Sequence, residues 1–129
     1  MKQGRIYIPP LTYPPGKKIP HRILILSNSA IINRSRPGSF LVCAIIRSSI
    51  SQQTGKAVTL VPNHSIPITV KDCISFNPNF TVLDHDSVIE THQLFHVSCD
   101  YLINQSVKAL GDLNSDKLQE VLNGARKVF

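Results

Sequence analysis

The first 71 residues of this 129-residue chain contain no aspartate or glutamate, although they carry ten lysines and arginines. The remaining residues hold all eight acids and only four cations, so the net charge of +6 arises entirely in the first part. A basic segment of this kind indicates an anionic partner, with nucleic acid or an acidic protein first in line. The alternative is that these cations are scattered over the folded surface and are neutralised by the acidic second part.

Other features that would define a function class are also missing. No apolar run approaches the roughly 20 residues of a membrane helix. The apolar stretch at residues 6–8 is too short for the core of a signal peptide. We therefore expect a cytoplasmic protein without a membrane partner. There is no Gly-x-Ser-x-Gly sequence and no glycine-rich phosphate loop, which disfavours serine hydrolysis and nucleotide hydrolysis.

Cysteine and histidine do not form a metal-binding pattern. The three cysteines, Cys43, Cys73 and Cys99, include no close pair, which argues against a disulfide framework and a zinc site. Cys43 lies in an apolar run and is expected to be a small buried side chain. His92 and His96 lie four residues apart in a strand-like segment, about 13 Å from each other by strand rise. We expect no metal and no cofactor.

Short apolar segments between turn signals predict one mainly β domain over residues 1–129, a small barrel or sandwich. The predicted strands are residues 5–8, 22–26, 40–46, 57–61, 66–70 and 87–97. Polar turns are predicted at 28–38 and 51–55. Residues 9–20 contain five prolines and form a predicted long loop, which is more often functional than idle and carries Lys17 and Lys18.

The end of the chain predicts a helix over about residues 114–129. Asn114 is a good N-cap, and Asp116 in the first turn suits the helix dipole. Apolar residues then recur at helical spacing and form one face, which we expect to pack on the barrel. They are Leu118, Val121, Leu122, Ala125, Val128 and Phe129.

Polar side chains gather where the predicted strands begin and end. His21 and Arg22 open one buried strand, and Arg47, Ser48 and Ser49 close the next. A third strand carries Glu90, His92 and His96. RNA cleavage through the 2′-hydroxyl needs a base, an acid and a cation for the charged phosphorane, which histidine and arginine can supply. The plain alternative is that His21 is a strand-edge residue and that the serines form a simple turn.

Segments spread along the chain resemble the MazF/PemK (Kid-like) toxins of type II toxin–antitoxin modules. Residues 4–7 are similar to the family's Gly-x-Ile-Tyr/Trp strand, and residues 20–28 to its Arg-Pro-Val-Val-Val-Leu-Ser segment. Residues 42–48 resemble Val-Val-x-Pro-Ile-Thr-Ser. Residues 86–97 resemble Asp-Ser-Val-x-x-x-Asp-Gln-Ile-Arg-Thr-Ile, and residues 110–114 the Gly-x-Leu-Ser entry to the last helix.

This resemblance implies an SH3-like barrel with a C-terminal helix (a CcdB/MazF-like fold), usually a homodimer. It implies metal-independent cleavage of single-stranded RNA that leaves a cyclic phosphate, and an antitoxin whose acidic segment covers the groove. Both partners suit the acid-free first part of the chain. The alternative function is a non-catalytic module of the same fold, which binds RNA or inhibits a protein as CcdB-type relatives do.

The resemblance also assigns roles to residues, with departures. His21 occupies the position of the family's catalytic Arg and Arg22 that of the following Pro, unless the register slips by one residue. The family's Thr or Ser at the strand end corresponds to Arg47 or to Ser48, which has the hydroxyl. The family's Asp before Gln is His92 here. Either proton transfer has moved onto imidazoles, or this chain has altered activity.

The predicted catalytic residues are therefore four. His21 is the general base or acid, Arg22 the phosphate stabiliser, Ser48 a donor to the phosphate, and His92 a second proton-transfer or base-reading group. The remaining candidates are predicted to line the RNA groove. They are Lys17, Lys18, Arg47, Ser49, Glu90 and His96.

Overall fold

The computed structural model describes residues 1–8, 21–34, 38–51, 54–77, 79, 82–104 and 107–127. The predicted loop 9–20, with Lys17 and Lys18, lies outside the described residues, as do Val128 and Phe129. The strands are β1 Arg5–Ile8, β2 Arg22–Ile25, β3 Phe40–Ser48, β4 Ser65–Ile68, β5 Cys73–Ser75, β6 Ser87–Ser98 and β7 Lys108–Leu113. The α-helices are α1 Ser29–Asn33, α2 Cys99–Asn104 and α3 Ser115–Arg126.

The seven strands form one antiparallel sheet in the order β4-β6-β3-β2-β1-β7-β5. Ile66 and Ile68 of β4, at one edge, share a core with Leu113 of β7 near the other edge. The sheet therefore curls into a half-barrel around that core. The predicted small mainly β barrel with a C-terminal helix is confirmed.

The sheet is apolar on both faces. The inner face packs against α3 through a core that includes Ile6, Leu24, Ala44, Ile46, Ile66, Ile89, Val121 and Ala125. The outer face packs against α2 through a second core that includes Tyr7, Ile23, Ile25, Leu41, Cys43, Val97 and Leu102. Burial on both faces explains why β2 and β3 are continuous apolar runs without alternation of polar and apolar residues.

Helix α3 follows the prediction closely. The Asn114 side chain accepts a hydrogen bond from the backbone N–H of Lys117, which satisfies one of the free donors of the first turn. Val121 and Ala125 are buried in the inner core, with Leu118 and Leu122 packed against it. The apolar face thus binds the barrel, as expected. No helix in the described ranges is both long and apolar enough to cross a membrane.

Four predictions about secondary structure need correction. Residues 57–61 form no strand, because the β-bridge that the described residues show here joins Ala57 to Ile50, outside the seven strands, and Leu60 and Val61 are exposed. The predicted turn 28–38 contains α1, capped by Asn28. Strand β3 runs two residues further than predicted, to Ser48, and β4 ends two residues early.

Strands β5 and β7 and helix α2 were not predicted from the sequence. β7 contains Gly111, which weakens the strand pattern. The structure explains this glycine, because a Cβ there would overlap the carbonyl oxygen of Ile74 in β5. Gly111 thus weakens the sequence signal for β7 and at the same time allows β5 and β7 to approach each other.

Candidate active site

A buried carboxylate organises one cluster of polar side chains on the outer face. Glu90 lies in β6 with only 2% of its side chain exposed. Its Oε1 lies 2.9 Å from Nε of Arg47, and its Oε2 lies 3.5 Å from Nδ1 of His92. Ser65 donates a hydrogen bond of 2.9 Å from its Oγ to Oε2. A buried carboxylate requires such partners, because removal from water strongly disfavours an unpaired charge.

The partners of Glu90 are more open to solvent than the carboxylate itself. The Arg47 side chain is 37% exposed and that of His92 is 27% exposed. The Arg47 contact is a close ion pair, but its Nε–H is not aligned for a hydrogen bond with Oε1. The His64 ring lies 5.9 Å from the His92 ring, tilted by 59°, and its Nδ1 is buried. Glu90 thus holds a guanidinium and an imidazole side by side at the surface.

An irregularity in β6 produces this arrangement. The β3–β6 register changes from Ala44 opposite Leu94 to Ile46 opposite Ile89, so β6 has extra residues at this point. Bulges of this kind change the direction of side chains and occur often beside active sites. Thr91, inside the irregular segment, donates a hydrogen bond of 2.8 Å to the backbone oxygen of His64.

The same segment fits closely against α3. A Cβ on Gly124 of α3 would lie 2.8 Å from Oγ1 of Thr91, so the glycine permits the close approach of helix and strand. Thr91 therefore points toward the inner face. Its neighbour Glu90 consequently lies on the outer face, where His92 contacts it.

The structure divides the four predicted catalytic residues between the two faces. In β2, Leu24 belongs to the inner core and Ile23 to the outer core. Alternation along the strand then places Arg22 on the inner face and His21 on the outer face. The β2–β3 ladder ends at Arg22 paired with Ile46, and continuation of this register by one residue would bring His21 opposite Arg47.

Arg22 already has partners on the inner face. Its Nε donates a hydrogen bond of 2.7 Å to the Val82 backbone oxygen, and an Nη atom lies 3.2 Å from Oδ1 of Asp84. Only 19% of the Arg22 side chain is exposed, whereas 65% of the Asp84 side chain is. Arg22 thus fixes the segment before β6 to the end of β2.

Ser48 and Ser49 line a cleft of about 480 Å³ at the end of the β3–β6 ladder. Alternation from Ile46 places Ser48 with Arg22 on the inner face and Ser49 with Arg47 on the outer face. The Ser48 hydroxyl accepts a hydrogen bond of 3.1 Å from the backbone N–H of Ile50. Strand alternation thus places Arg22 and Ser48 on one face of the sheet and His21 on the other.

The remaining groove candidates have separate surroundings. His96 is exposed on β6 opposite Val42, on the far side of the irregular segment from Glu90. Glu90 has too little exposed surface for direct contact with RNA, so its position favours an indirect role through its partners. No group of three or more His, Cys, Asp or Glu in the described part of the chain is placed to hold a metal ion.

Several residues of these sites were missed in the sequence. His64 ends a turn and Ser65 opens β4, and no spacing in the sequence relates either residue to Glu90. The pairing of Ser65 with Glu90 across β4 and β6 reveals their role. His85 and Asp86 line the cleft with Ser48 and Ser49. The only available signal was that Asp86 opens the segment resembling the family's Asp-Ser-Val.

The sequence model of one protein family matches residues 2–129, and its description is a PemK-like, MazF-like toxin of type II toxin-antitoxin system. The chain belongs to this family. No protein of curated function is significantly similar to it in sequence.

Solved structures of MazF toxins share the fold at low sequence identity. An endoribonuclease in complex with its cognate antitoxin from a mycobacterial species has a TM-score of 0.59 and 12% identity, over 99% of this chain and 93% of that one. The *Mycobacterium tuberculosis* toxin MazF-mt6 has a TM-score of 0.60 and 12% identity, over 97% and 95%. MazE–MazF from *Deinococcus radiodurans* has a TM-score of 0.54 and 11% identity, over 98% and 91%.

Proposed function

We propose that this MazF/PemK-like toxin is an endoribonuclease that cleaves single-stranded RNA, with its active site on the outer face around Arg47 and His92. The observation that carries the proposal is the contact of both side chains with one buried carboxylate, Glu90. A cation and a proton-transfer group held together at the surface are what phosphodiester cleavage needs.

The proposed reaction uses the 2′-hydroxyl as nucleophile. His92 removes the 2′-hydroxyl proton while the oxygen attacks the adjacent phosphorus. Glu90 lies against Nδ1 of His92, so Nε2 is the nitrogen left to act as the base. The bond from phosphorus to the 5′-oxygen breaks, and that oxygen takes a proton from an acid. The products are a 2′,3′-cyclic phosphate and a 5′-hydroxyl, and the reaction needs no metal.

Two more outer-face groups complete the proposed site. Arg47 donates from its planar guanidinium to the phosphate oxygens, where negative charge grows in the transition state. His21 precedes β2, where one more step of the β2–β3 register would bring it opposite Arg47, and it is the candidate acid for the leaving oxygen. Arg22 and Ser48, on the inner face, are the residues of the alternative active site. Substitutions of the inner-face and outer-face residues distinguish the two possible sites.

The acid-free first part of the chain supports polyanionic partners. Arg47 and His21 both belong to it, whereas Glu90 and His92 come from the second part of the chain. We propose RNA as the substrate and an antitoxin with an acidic segment as the protein partner, since both would neutralise this charge. A homodimer is the proposed oligomeric state.

The test is cleavage of a mixed-sequence single-stranded RNA by purified protein in excess chelator, with the product ends identified. We expect cyclic phosphate ends, and we expect His21→Ala to lower the rate more than Ser48→Ala. Intact RNA after long incubation, with salt-sensitive binding retained, would replace this proposal with a non-catalytic RNA-binding module. Cleavage that stops in chelator would contradict the metal-independent mechanism.

A further inference from the structure

A cleft at the end of the β3–β6 ladder is not used by the proposed reaction. It has a volume of about 480 Å³ and is lined by Ser48, Ser49, Ile50, Ser51, His85 and Asp86. His85 and Asp86 are exposed and lie just before β6. This set combines one carboxylate, three hydroxyls, an imidazole ring and an aliphatic side chain.

The cleft lies just beyond the end of the strand pair that carries Arg47, and its lining includes Ser49 of the outer face as well as Ser48 of the inner face. Arg47 is paired with Val88, and Ser48 with Ser87. The ladder continues beyond β3, because the backbone N–H of Ser49 donates a hydrogen bond of 3.0 Å to the Asp86 oxygen. Ser49 and Asp86 are therefore two residues past Arg47, about 7 Å along the strands. Side chains two residues apart in a strand lie on the same side of the sheet, so Ser49 lies on the side of Arg47.

This offset matches the way a nucleic acid strand extends. A phosphate bound at Arg47 would place an adjoining nucleotide along the ladder. The distance of this nucleotide from Arg47 would be comparable with the distance of the cleft from Arg47. The carboxylate of Asp86 repels a further phosphate, so the cleft suits a base better than the backbone. Bases of single-stranded RNA are recognised at their Watson–Crick edges and by stacking on flat side chains.

The acceptor chemistry of Asp86 selects among the four bases. An ionised carboxylate only accepts hydrogen bonds, and its two oxygens suit two parallel N–H donors. Guanine presents such a pair, N1–H and one hydrogen of its 2-amino group. Adenine and cytosine place an acceptor nitrogen beside their amino group, and uracil has one N–H between two carbonyls. Ser49 and Ser51 offer hydroxyl donors for the guanine O6, and Ile50 and His85 offer surfaces for stacking.

We infer that this cleft is a guanine-binding subsite in which Asp86 reads the N1–H and 2-amino edge of the base. The inference rests on the proposed function in taking RNA as the ligand and Arg47 as the residue that binds a phosphate. It adds that the toxin selects guanine next to the phosphate held by Arg47.

Binding of uncleavable RNA tests the inference without requiring catalysis. Short 2′-O-methyl oligonucleotides are used, with guanine, inosine, adenine, cytosine or uracil placed in turn at each position. At one position we expect guanine to bind at least about tenfold more tightly than adenine. Inosine, which lacks the 2-amino group, should lose part of this advantage. Asp86→Asn should abolish the preference.

Glu120→Gln is the matched control, because it removes the same charge from an exposed residue of α3. It should retain the guanine preference. Equal binding of guanine and adenine by the wild-type protein at every position would overturn the inference, as would a preference that survives Asp86→Asn. If RNA is cleaved without guanine selection, the subsite is wrong and the proposed function stands. If Asp86-dependent guanine binding occurs without cleavage, the subsite holds and the proposed reaction fails.

Discussion

Arg22 and Arg47 lie at the ends of neighbouring strands, and each forms an ion pair with an acidic residue. The two ion pairs differ in which partner, the arginine or the acid, is the more buried. Arg22 is the more buried arginine, and its acid, Asp84, is exposed. Arg47 is the more exposed arginine, and its acid, Glu90, is buried. Arg22 also donates to a backbone oxygen of a neighbouring segment, whereas Arg47 shares its acid with a histidine.

This contrast separates a structural arginine from one that can meet a ligand. The Arg22 guanidinium is used within the protein, where it connects Val82 and Asp84 to β2. The Arg47 guanidinium contacts Glu90 through its Nε, while 37% of the Arg47 side chain remains exposed to solvent. Substitutions of Arg47 and its partners should therefore lower activity, whereas substitution of Arg22 should lower stability.

The largest effect is expected for His92→Ala, which removes the proposed base. General acid–base groups contribute about 10²- to 10⁴-fold, so the RNA cleavage rate should fall by at least about 100-fold. His96→Ala is the control, because His96 lies on the same strand but away from Glu90. Single-turnover rates of both variants check this prediction, and equal losses for the two would remove His92 from the proposed base role.

Glu90→Gln should reduce cleavage by a smaller factor, about tenfold to 100-fold, because it disturbs the position of Arg47 and His92 without removing either. The reduction should lie in kcat more than in KM. Glu90→Asp, which keeps the carboxylate, should recover part of the rate, whereas a purely structural role would not give this difference between the two variants. An unchanged rate in Glu90→Gln would show that the carboxylate does not position the site.

Arg22→Ala should affect stability instead. Loss of the hydrogen bond to the Val82 oxygen costs about 1 kcal/mol, and the exposed ion pair with Asp84 adds little. For a domain of this size, the melting temperature should fall by about 2–6 °C. Arg34→Ala, at an exposed position, should change it by less than about 1 °C. Thermal unfolding followed by circular dichroism measures both, and an unchanged melting temperature in Arg22→Ala would argue against the structural role.

The smallest effect concerns Cys73, which lies away from both arginines in the edge strand β5. Burial and the neighbouring Asp72 raise the pKa of its thiol to about 11. The thiol therefore stays protonated at neutral pH, and its alkylation rate should rise about tenfold per pH unit between pH 7.5 and 9.5 without levelling off. Peptide mapping after iodoacetamide treatment measures this rate, with Cys73→Ser as the blank. A plateau below pH 9 would contradict the raised pKa.

Local patterns predicted the elements that local physics determines. β1 and α3 were correct because a short apolar strand, an Asn cap and a helical apolar face are all encoded within a few residues. Residues 57–61 have a strand-like composition but join none of the seven strands of the sheet. Residue type also identified Arg47, Glu90 and His92 as candidates. Their grouping could not be predicted, because it depends on the β3–β6 register and its irregularity, which join distant parts of the chain.

The rate of RNA cleavage by Arg47→Ala and Arg22→Ala, each measured in a single turnover in excess chelator, tests the central claim most directly. If the active site lies on the outer face, Arg47→Ala should be slower than wild type by about 10²- to 10³-fold, as for loss of a transition-state donor. Arg22→Ala should remain within about fivefold of wild type below its melting temperature. Wild-type cleavage by Arg47→Ala together with loss of cleavage in Arg22→Ala would contradict the account and move the active site to the inner face.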